Sequence, residues 1–232
     1  KDMVILKGGM LIASMVGISS RTTMDMDATL RGYPLTEKAI QEALSEICAI
    51  PLGDEVSLEL DHIAPIREDD EYGGFRVAII AKYESINTPL KIDITTGDII
   101  TPEAIRYAFQ SNFENKKIEV WAYNIETILA EKVETILRRS VLNTRPRDYY
   151  DVYIIMKTQR RAINKNLFRT ALSATAQKRT SLAALRDQDI ILQSIQTDTI
   201  MRQRWERYCK ENYYANGIEF DVVIGILKEL VS

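Results

Sequence analysis

Two aspartates spaced two positions apart are the residues of this 232-residue sequence best placed to do chemistry. Asp25 and Asp27 lie in the run Arg-Thr-Thr-Met-Asp-Met-Asp, and on an extended segment such residues project to the same side. Both carboxylates can then approach one divalent cation, and Mg²⁺ favours one or two carboxylates combined with the phosphates of a substrate. The alternative is a turn or a helix cap, where nearby aspartates are common.

A third aspartate, Asp93, lies between two isoleucines in a segment that alternates with period two. Lys91 and Thr95 share its side of that segment, so one face of the predicted strand is polar. A polar strand face directed at an acidic pair suits a two-metal phosphoryl-transfer site, because only metal ions make closely spaced anions tolerable. Asp93 could instead be an exposed residue of an edge strand.

A glycine pair precedes these acids at a predicted junction between a strand and a helix. An apolar run over residues 3–6 leads into Lys7, Gly8 and Gly9, and residues 10–16 are apolar and compatible with a helix. Glycines allow backbone amides to approach a phosphate closely, and the start of a helix favours an anion. The alternative is an ordinary turn.

Charged residues also occur on and after a long predicted helix. Residues 124–139 place apolar side chains at helical spacing with Asn124 as a cap, and Lys132 lies in the middle, where a solvated ion is the alternative interpretation. Asp148 and Asp151 lie three residues apart near the start of another helix, where capping or helix-dipole stabilisation is the alternative. The residues alone leave both kinds of role open.

The elements that must position these residues change from strands to helices along the chain. Helical spacing over residues 36–47, with Thr36 as N-cap, predicts a helix. Runs of period two or of β-branched residues predict strands at residues 56–60, 75–83, 90–94 and 118–122. The segment Asn87-Thr88-Pro89 is expected to set off the third of these strands, and the chain after Arg147 predicts roughly five helices. This order indicates an α+β fold.

Bulk composition is that of an ordinary globular protein, with 46% hydrophobic and 27% charged residues. A net charge of −3 gives no overall attraction to nucleic acid and leaves a local basic patch open. Cys48 and Cys209 have no metal or redox spacing and predict buried thiols in a reducing compartment, and the lone His62 is expected to pack structurally. No apolar run approaches the ~20 residues of a membrane span. Because Lys1 begins inside an apolar run, we allow for a preceding segment.

Five motifs together resemble one known family. In chain order they are Lys7-Gly8-Gly9, Arg21-x-Thr23-x-Asp25-x-Asp27, Lys91-Ile92-Asp93, Ala130-Glu131-Lys132 and Arg145-Pro146-Arg147-Asp148-x-x-Asp151. This order resembles the AbiEii-type nucleotidyltransferases, the toxins of type IV abortive-infection toxin–antitoxin systems within the polymerase-β-like superfamily. The resemblance covers residues 4–157. It implies a mixed β-sheet nucleotidyltransferase core with flanking helices over residues 1–122, followed by a C-terminal helical bundle over residues 123–232.

The resemblance also implies roles for five charged motif residues. Asp25, Asp27 and Asp93 would hold Mg²⁺ or Mn²⁺, with Asp93 as the candidate base for the attacking hydroxyl. Lys132 would meet the triphosphate of the NTP, and Asp148 would position Lys132 or the nucleotide. All five are therefore candidate catalytic residues.

The implied nucleotide site is formed by Lys7, Gly8, Gly9, Arg21 and Thr23. In this assignment the glycines line the triphosphate, while Arg21 and Thr23 support the loop that presents the acidic pair. One position departs from the family pattern. A small hydroxyl residue such as threonine usually follows the two glycines, whereas this chain has Met10, which removes one hydrogen bond to phosphate.

The implied reaction transfers NMP from an NTP to an acceptor hydroxyl, expected to be an RNA end and in particular a tRNA 3′ end. A basic stretch in the helical half favours an RNA surface slightly over a solvated face, and consists of Lys157, Arg160, Arg161, Lys165, Arg169, Lys178 and Arg179. A cognate antitoxin that need not touch the toxin, a cytoplasmic location and no membrane partner are expected. Two alternatives stay open, namely a protein or small-molecule acceptor, and a non-catalytic nucleotide-binding domain of the same fold.

Overall fold

The computed structural model describes residues 4–23, 25–32, 36–51, 53, 55–66, 73–111 and 116–232. Strands occupy the first half: β1 (Val4–Lys7), β2 (Asp25–Leu30), β3 (Ser57–Pro65), β4 (Gly74–Tyr83), β5 (Ile86–Thr96), β6 (Ile105–Gln110) and β7 (Lys117–Ala122). Two helices lie between them, α1 (Gly8–Val16) and α2 (Glu37–Cys48). The second half contains α3 (Ile125–Arg139), α4 (Pro146–Gln159), α5 (Lys165–Lys178), α6 (Leu182–Arg186), α7 (Gln188–Thr197), α8 (Thr199–Glu211) and α9 (Phe220–Val231).

The described strands form one mixed sheet in the order β3-β4-β5-β2-β1-β7-β6. β2 pairs with β5 and β1 pairs with β7 in parallel, whereas β1–β2, β3–β4 and β4–β5 are antiparallel. The predicted α+β class is therefore confirmed, and the C-terminal helices are present. β6 was not predicted from the sequence.

Helix α2 covers one face of this sheet. Its N-cap is Thr36, as predicted, and the Thr36 hydroxyl accepts a hydrogen bond from the Ala39 N–H at 3.2 Å. The helix buries Ile40 and Leu44 against a cluster that includes Val77 and other apolar residues of β4 and β5. Burying side chains of this size contributes about 1.5–3 kcal/mol each. Strand alternation then directs the intervening residues of β4 and β5 to the opposite face, which is where the polar residues lie.

The expected interruption at Asn87-Thr88-Pro89 is wrong. β4 and β5 form a hairpin whose turn is Glu84-Ser85, with Glu84 at a φ of 49°, and β5 runs unbroken through Pro89. Among the described strands, Pro89 lies where β5 pairs with β4 alone, because β2 pairs only with residues 91–96. A missing N–H is tolerated at such an edge, so cross-strand pairing overrides the local turn composition.

Helix α3 begins as predicted. The Asn124 side-chain oxygen accepts a hydrogen bond from the Thr127 N–H at 2.8 Å, and its amide nitrogen donates to the Thr101 carbonyl oxygen at 2.8 Å. From Pro146 onward, where every residue is described, the chain forms six α-helices instead of five. The additional one is the short α6, preceded by Thr180 at a φ of 51°.

The prediction that His62 packs structurally is wrong, because its side chain is 61% exposed and its Nδ1 lies 2.9 Å from Asp61 Oδ2. A register shift between Leu60 and His62 breaks the alternation of β3, and a period-two pattern does not reveal such a bulge. Cys48 and Cys209 are free thiols that are half-buried instead of buried.

Internal contacts divide the chain into two compact units. The first consists of residues 1–14, 22–98 and 106–122, and the second of residues 15–21, 99–105 and 123–232. We keep a domain boundary between residues 122 and 123 as a proposal. Within the described ranges, no helix combines the length and the apolar character needed to cross a bilayer.

Candidate active site

A row of four charged residues crosses four adjacent strands of the first unit. Arg76 on β4 is the cross-strand partner of Asp93 on β5, Asp93 is the partner of Asp27 on β2, and Asp27 is the partner of Lys7 on β1. Directly paired residues project to the same face of a sheet. The two predicted carboxylates therefore lie side by side, with a cation on each outer strand. We call this row and its neighbours the strand-face site.

Asp25 extends the strand-face site along β2. It lies two positions before Asp27 and opposite Lys91, so it shares the face of both. Asp25 is exposed and Asp27 is half-buried, and the Thr23 hydroxyl donates to the Asp25 carbonyl oxygen at 3.4 Å. The extended geometry predicted for the acidic pair is thus confirmed, and Thr23 contacts the backbone that carries the pair.

The glycine pair lies where β1 passes directly into α1, as the sequence predicted. Gly8 has a φ of 66°, and a Cβ at this position would overlap the Asp27 carboxylate. The Gly9 N–H, at the start of the helix, donates to Asp27 Oδ2 at 3.3 Å. Two constraints, a left-handed backbone and the closeness of Asp27, therefore require glycine at position 8.

We expect Gly8→Ala to lower the free energy of unfolding by about 1–3 kcal/mol, the usual cost of a strained backbone, and to reduce activity by displacing Asp27. Thermal unfolding followed by circular dichroism measures the first effect. Gly32→Ala is the matched control, because Gly32 has a φ of 71° and a Cβ added there would meet no atom within 4 Å. Equal activity losses in both variants would contradict the role of the Asp27 contact.

Lys7 contacts a carboxylate that sequence reasoning missed. Its Nζ lies 2.5 Å from Asp98 Oδ2, and the Thr95 hydroxyl donates to the same oxygen at 2.8 Å. Burial alone would raise the pKa of Asp98, but the charge and hydrogen bond of Lys7 lower it below its ordinary value. Asp98 follows β5 after Thr96 and Gly97, a composition that only suggests a turn.

Asp93 is engaged by Arg76 in a bidentate ion pair. Arg76 Nε donates to Asp93 Oδ1 at 2.8 Å and Nη2 donates to Asp93 Oδ2 at 2.7 Å. The Asp93 side chain is 19% exposed and that of Arg76 is 51% exposed. The hydrogen bonds and charge of Asp93, with smaller contributions from Asp25 and Asp27, raise the pKa of Arg76. The alternative of an exposed edge aspartate is wrong, because β5 lies between β4 and β2.

The donor set of the strand-face site fits a hard divalent cation. Asp25, Asp27 and Asp93 offer only carboxylate oxygens on one sheet face, which are the ligands that Mg²⁺ and Mn²⁺ prefer. Among the described residues, however, no three His, Cys, Asp or Glu side chains converge as a ready-made metal site. The acidic pair on β2 is therefore the part that best fits an ion, while Asp93 is held by Arg76.

A second group of charges, the helix cluster, lies in the second unit and consists of Arg21, Lys132, Asp148 and Asp151. Lys132 Nζ lies 2.7 Å from Asp148 Oδ1 and 3.0 Å from Asp151 Oδ2. Arg21 Nε donates to Asp151 Oδ1 at 2.7 Å, with both side chains almost fully buried. The solvated-ion interpretation of Lys132 is therefore wrong, since its side chain is only 20% exposed and bridges two aspartates.

Opposite charges outweigh burial in this helix cluster. Burial would lower the pKa of Lys132, but Asp151 and Asp148 raise it above its ordinary value. Burial would likewise raise the pKa of Asp151, but Lys132 and Arg21 lower it. Among the described residues, Asp148 Oδ2 is buried and accepts no hydrogen bond.

The lowered pKa values of Asp98 and Asp151 predict acid sensitivity. A carboxylate whose pKa is lower in the folded state contributes stability above its unfolded pKa of about 3.9, and this stability is lost as pH falls through the folded pKa. We therefore expect the melting temperature to be nearly constant from about pH 5 to 8 and to fall steeply below about pH 4. Circular dichroism melts across this range measure it. A melting temperature that rises below pH 4 would contradict the ion-pair assignment.

The basic stretch of the second unit divides into two parts. Arg179 binds Glu131 at 3.0 Å and the buried Glu134 at 2.6 Å, so its role is structural. Lys178 is half-buried, and the remaining five residues are exposed: Lys157, Arg160, Arg161, Lys165 and Arg169. An open groove is lined by residues 157–162, which includes three of these five.

The sequence matches, over residues 1–224, the family described as "Nucleotidyl transferase AbiEii toxin, Type IV TA system". The crystal structure of JHP933 from Helicobacter pylori has a TM-score of 0.50 and 17% sequence identity, covering 100% of this chain and 84% of that chain. A second H. pylori crystal structure, described as a candidate nucleotidyltransferase, has a TM-score of 0.47 and 18% identity, covering 99% and 90%. The likeness to JHP933 bears on the fold alone. No curated protein matches the sequence.

Proposed function

This chain belongs to the family of AbiEii nucleotidyl transferase toxins of type IV toxin–antitoxin systems, and we propose that it transfers an NMP group from an NTP to an RNA end with the help of a divalent metal ion. Membership makes the protein a nucleotidyltransferase. The metal, the acceptor and the residue roles below are parts of the proposal.

The observation that carries the proposal is the juxtaposition on the strand-face site. Asp25, Asp27 and Asp93 share one face of two adjacent parallel strands, and Gly9 begins a helix against Asp27. Closely spaced carboxylates are costly unless a cation neutralises them. Carboxylates offer oxygen ligands for a metal ion. The backbone amides of a neighbouring helix N-terminus can bind the phosphates of the nucleotide.

In the proposed reaction the acceptor hydroxyl attacks the α-phosphorus of the NTP, the bond from the α-phosphorus to the bridging oxygen breaks, and pyrophosphate leaves. Asp25 and Asp27 hold Mg²⁺ or Mn²⁺, which when bound supplies positive charge against the triphosphate. Once Arg76 has released the Asp93 carboxylate, Asp93 takes the proton of the acceptor hydroxyl. Gly8 and Gly9 line the triphosphate, and positioning together with charge neutralisation contributes most of the rate.

Following the family resemblance, we also propose nucleotide-binding roles for two residues of the second unit. Lys132 would bind the triphosphate, and Asp148 would position Lys132 through its 2.7 Å ion pair. Lys132→Gln is expected to raise KM for the NTP by about tenfold, the usual effect of losing one charged hydrogen bond. Steady-state kinetics over a range of NTP concentrations measure this. An unchanged KM in a folded variant would return Lys132 to a purely structural role.

The acceptor is proposed to be RNA, with tRNA 3′ ends as the expected class. The five exposed basic residues between Lys157 and Arg169 support this choice, because cations spaced along a surface can follow a phosphate backbone. A cytoplasmic location is proposed because NTPs and tRNA are found there. A cognate antitoxin completes the proposal, and no contact with it is needed.

Incubation with each [α-³²P]NTP in turn, Mg²⁺ and total cellular RNA tests the proposed acceptor. The expected result is label on tRNA, and no label on tRNA in a parallel reaction that contains EDTA from the start. Label on a protein or on a small molecule instead would show that the acceptor is not RNA. Absence of label in every mixture, with a folded protein, would indicate a non-catalytic nucleotide-binding domain and contradict the proposal.

A further inference from the structure

Arg76 belongs to none of the sequence motifs, yet it faces the central carboxylates of the strand-face site. Its guanidinium donates to both oxygens of Asp93, at 2.8 Å and 2.7 Å. The cross-strand register of β4 and β5 fixes this pairing, because Arg76 and Asp93 are directly opposite. The contact is therefore built into the sheet.

A bidentate arginine and a divalent ion compete for the same carboxylate. The guanidinium fork uses both oxygens of Asp93, which are the atoms that a metal ion would coordinate. A second cation placed beside the guanidinium would also be repelled by it. Consistent with this, no three acidic side chains converge on one point within the described residues.

We propose that Arg76 occupies Asp93 in the nucleotide-free protein, so that the strand-face site then binds a single divalent ion at Asp25 and Asp27. A second ion binds Asp93 only after the guanidinium has left it. The incoming NTP provides the alternative partner, because arginine binds phosphate in the same bidentate manner as carboxylate. This inference rests on the proposed function, since it concerns the same metal site.

Calorimetric titration of Mn²⁺ into the nucleotide-free protein tests the inference without measuring activity. Wild type is expected to bind about one Mn²⁺ per chain, and Arg76→Gln about two, because glutamine leaves Asp93 to the metal. Arg76→Lys keeps the positive charge without the fork, so its second ion should bind more weakly than that of Arg76→Gln. Lys82→Gln is the matched control on β4, since Lys82 pairs with Glu59 instead, and should behave as wild type.

Each outcome of the titration decides a different question. Two ions in wild type, or one ion in a folded Arg76→Gln, would overturn the role of Arg76 while the metal site itself stands. No ion in any variant would overturn both the role of Arg76 and the metal dependence of the proposed function. Circular dichroism confirms folding, and the exposed position of Arg76 makes a large loss of stability unexpected.

Discussion

Replacing Asp27 by asparagine is expected to lower the rate of nucleotidyl transfer by about 10³-fold, because metal ions contribute several kcal/mol of transition-state stabilisation. Asp27 occupies the centre of the strand-face site, beside Asp93 and against the N–H of Gly9. Asparagine keeps the shape of the side chain and removes the negative charge. Initial rates of label transfer from an [α-³²P]NTP at saturating Mg²⁺ measure the effect.

The Asp27→Asn variant should lose activity without losing thermal stability. Asp27 lies near the like charges of Asp25 and Asp93, so neutralising it relieves repulsion, and we expect the melting temperature to stay constant or to rise slightly. Asp61→Asn is the matched control, because Asp61 is an exposed carboxylate of the same sheet and should keep wild-type activity. Wild-type transfer by a folded Asp27→Asn variant would contradict the assignment of this residue to the metal.

The largest effect on stability is expected at Asp151. Asp151→Asn removes the fully buried carboxylate that binds Arg21 at 2.7 Å and Lys132 at 3.0 Å. Arg21 then loses this charged partner while Lys132 keeps only Asp148, and removing one partner of a buried ion pair costs about 3–5 kcal/mol. For a chain of this size we expect the melting temperature to fall by about 6–20 °C, measured by circular dichroism.

Asp221→Asn provides the matched control for this prediction. Asp221 also pairs with an arginine, Arg202, at 2.8 Å, but both side chains are exposed. An exposed pair of this kind contributes little to stability, so the melting temperature should change only slightly. Similar changes in the two variants would show that burial of the helix cluster has no special effect. A double-mutant cycle with Arg21→Gln then measures the coupling of Arg21 to Asp151 directly.

Local periodicity and capping residues predicted several elements of both units. Thr36 and Asn124 cap their helices as predicted, and the alternation around Asp93 correctly indicated a polar strand face. These predictions succeeded because each depends on a few consecutive residues. The helix cluster was anticipated only as a motif, because its ion pairs join α3 to α4.

Local patterns could not predict the pairing of distant segments, and the grouping of Asp93 with the acidic pair was expected from the order of the motifs instead. The parallel pairing of β2 with β5 places Asp27 beside Asp93, although the two lie far apart in the sequence. The antiparallel register of β4 and β5 brings Arg76 to Asp93, and the strand order β5-β2-β1 lets Asp98, which follows β5, bind Lys7. Arg21 contacts Asp151 across a sequence separation of 130. Single residues of this kind carry no local pattern, so only the fold reveals them.

The central claim, nucleotidyl transfer, is tested most directly by comparing two positions of the label in the same NTP. Parallel reactions contain [α-³²P]NTP or [γ-³²P]NTP with Mg²⁺, RNA and either wild type or Asp27→Asn. The predicted result is that wild type places the α-label on RNA and releases the γ-label as pyrophosphate, while Asp27→Asn does neither. Transfer of the γ-label to the acceptor would show phosphoryl transfer instead, and would contradict the assigned reaction.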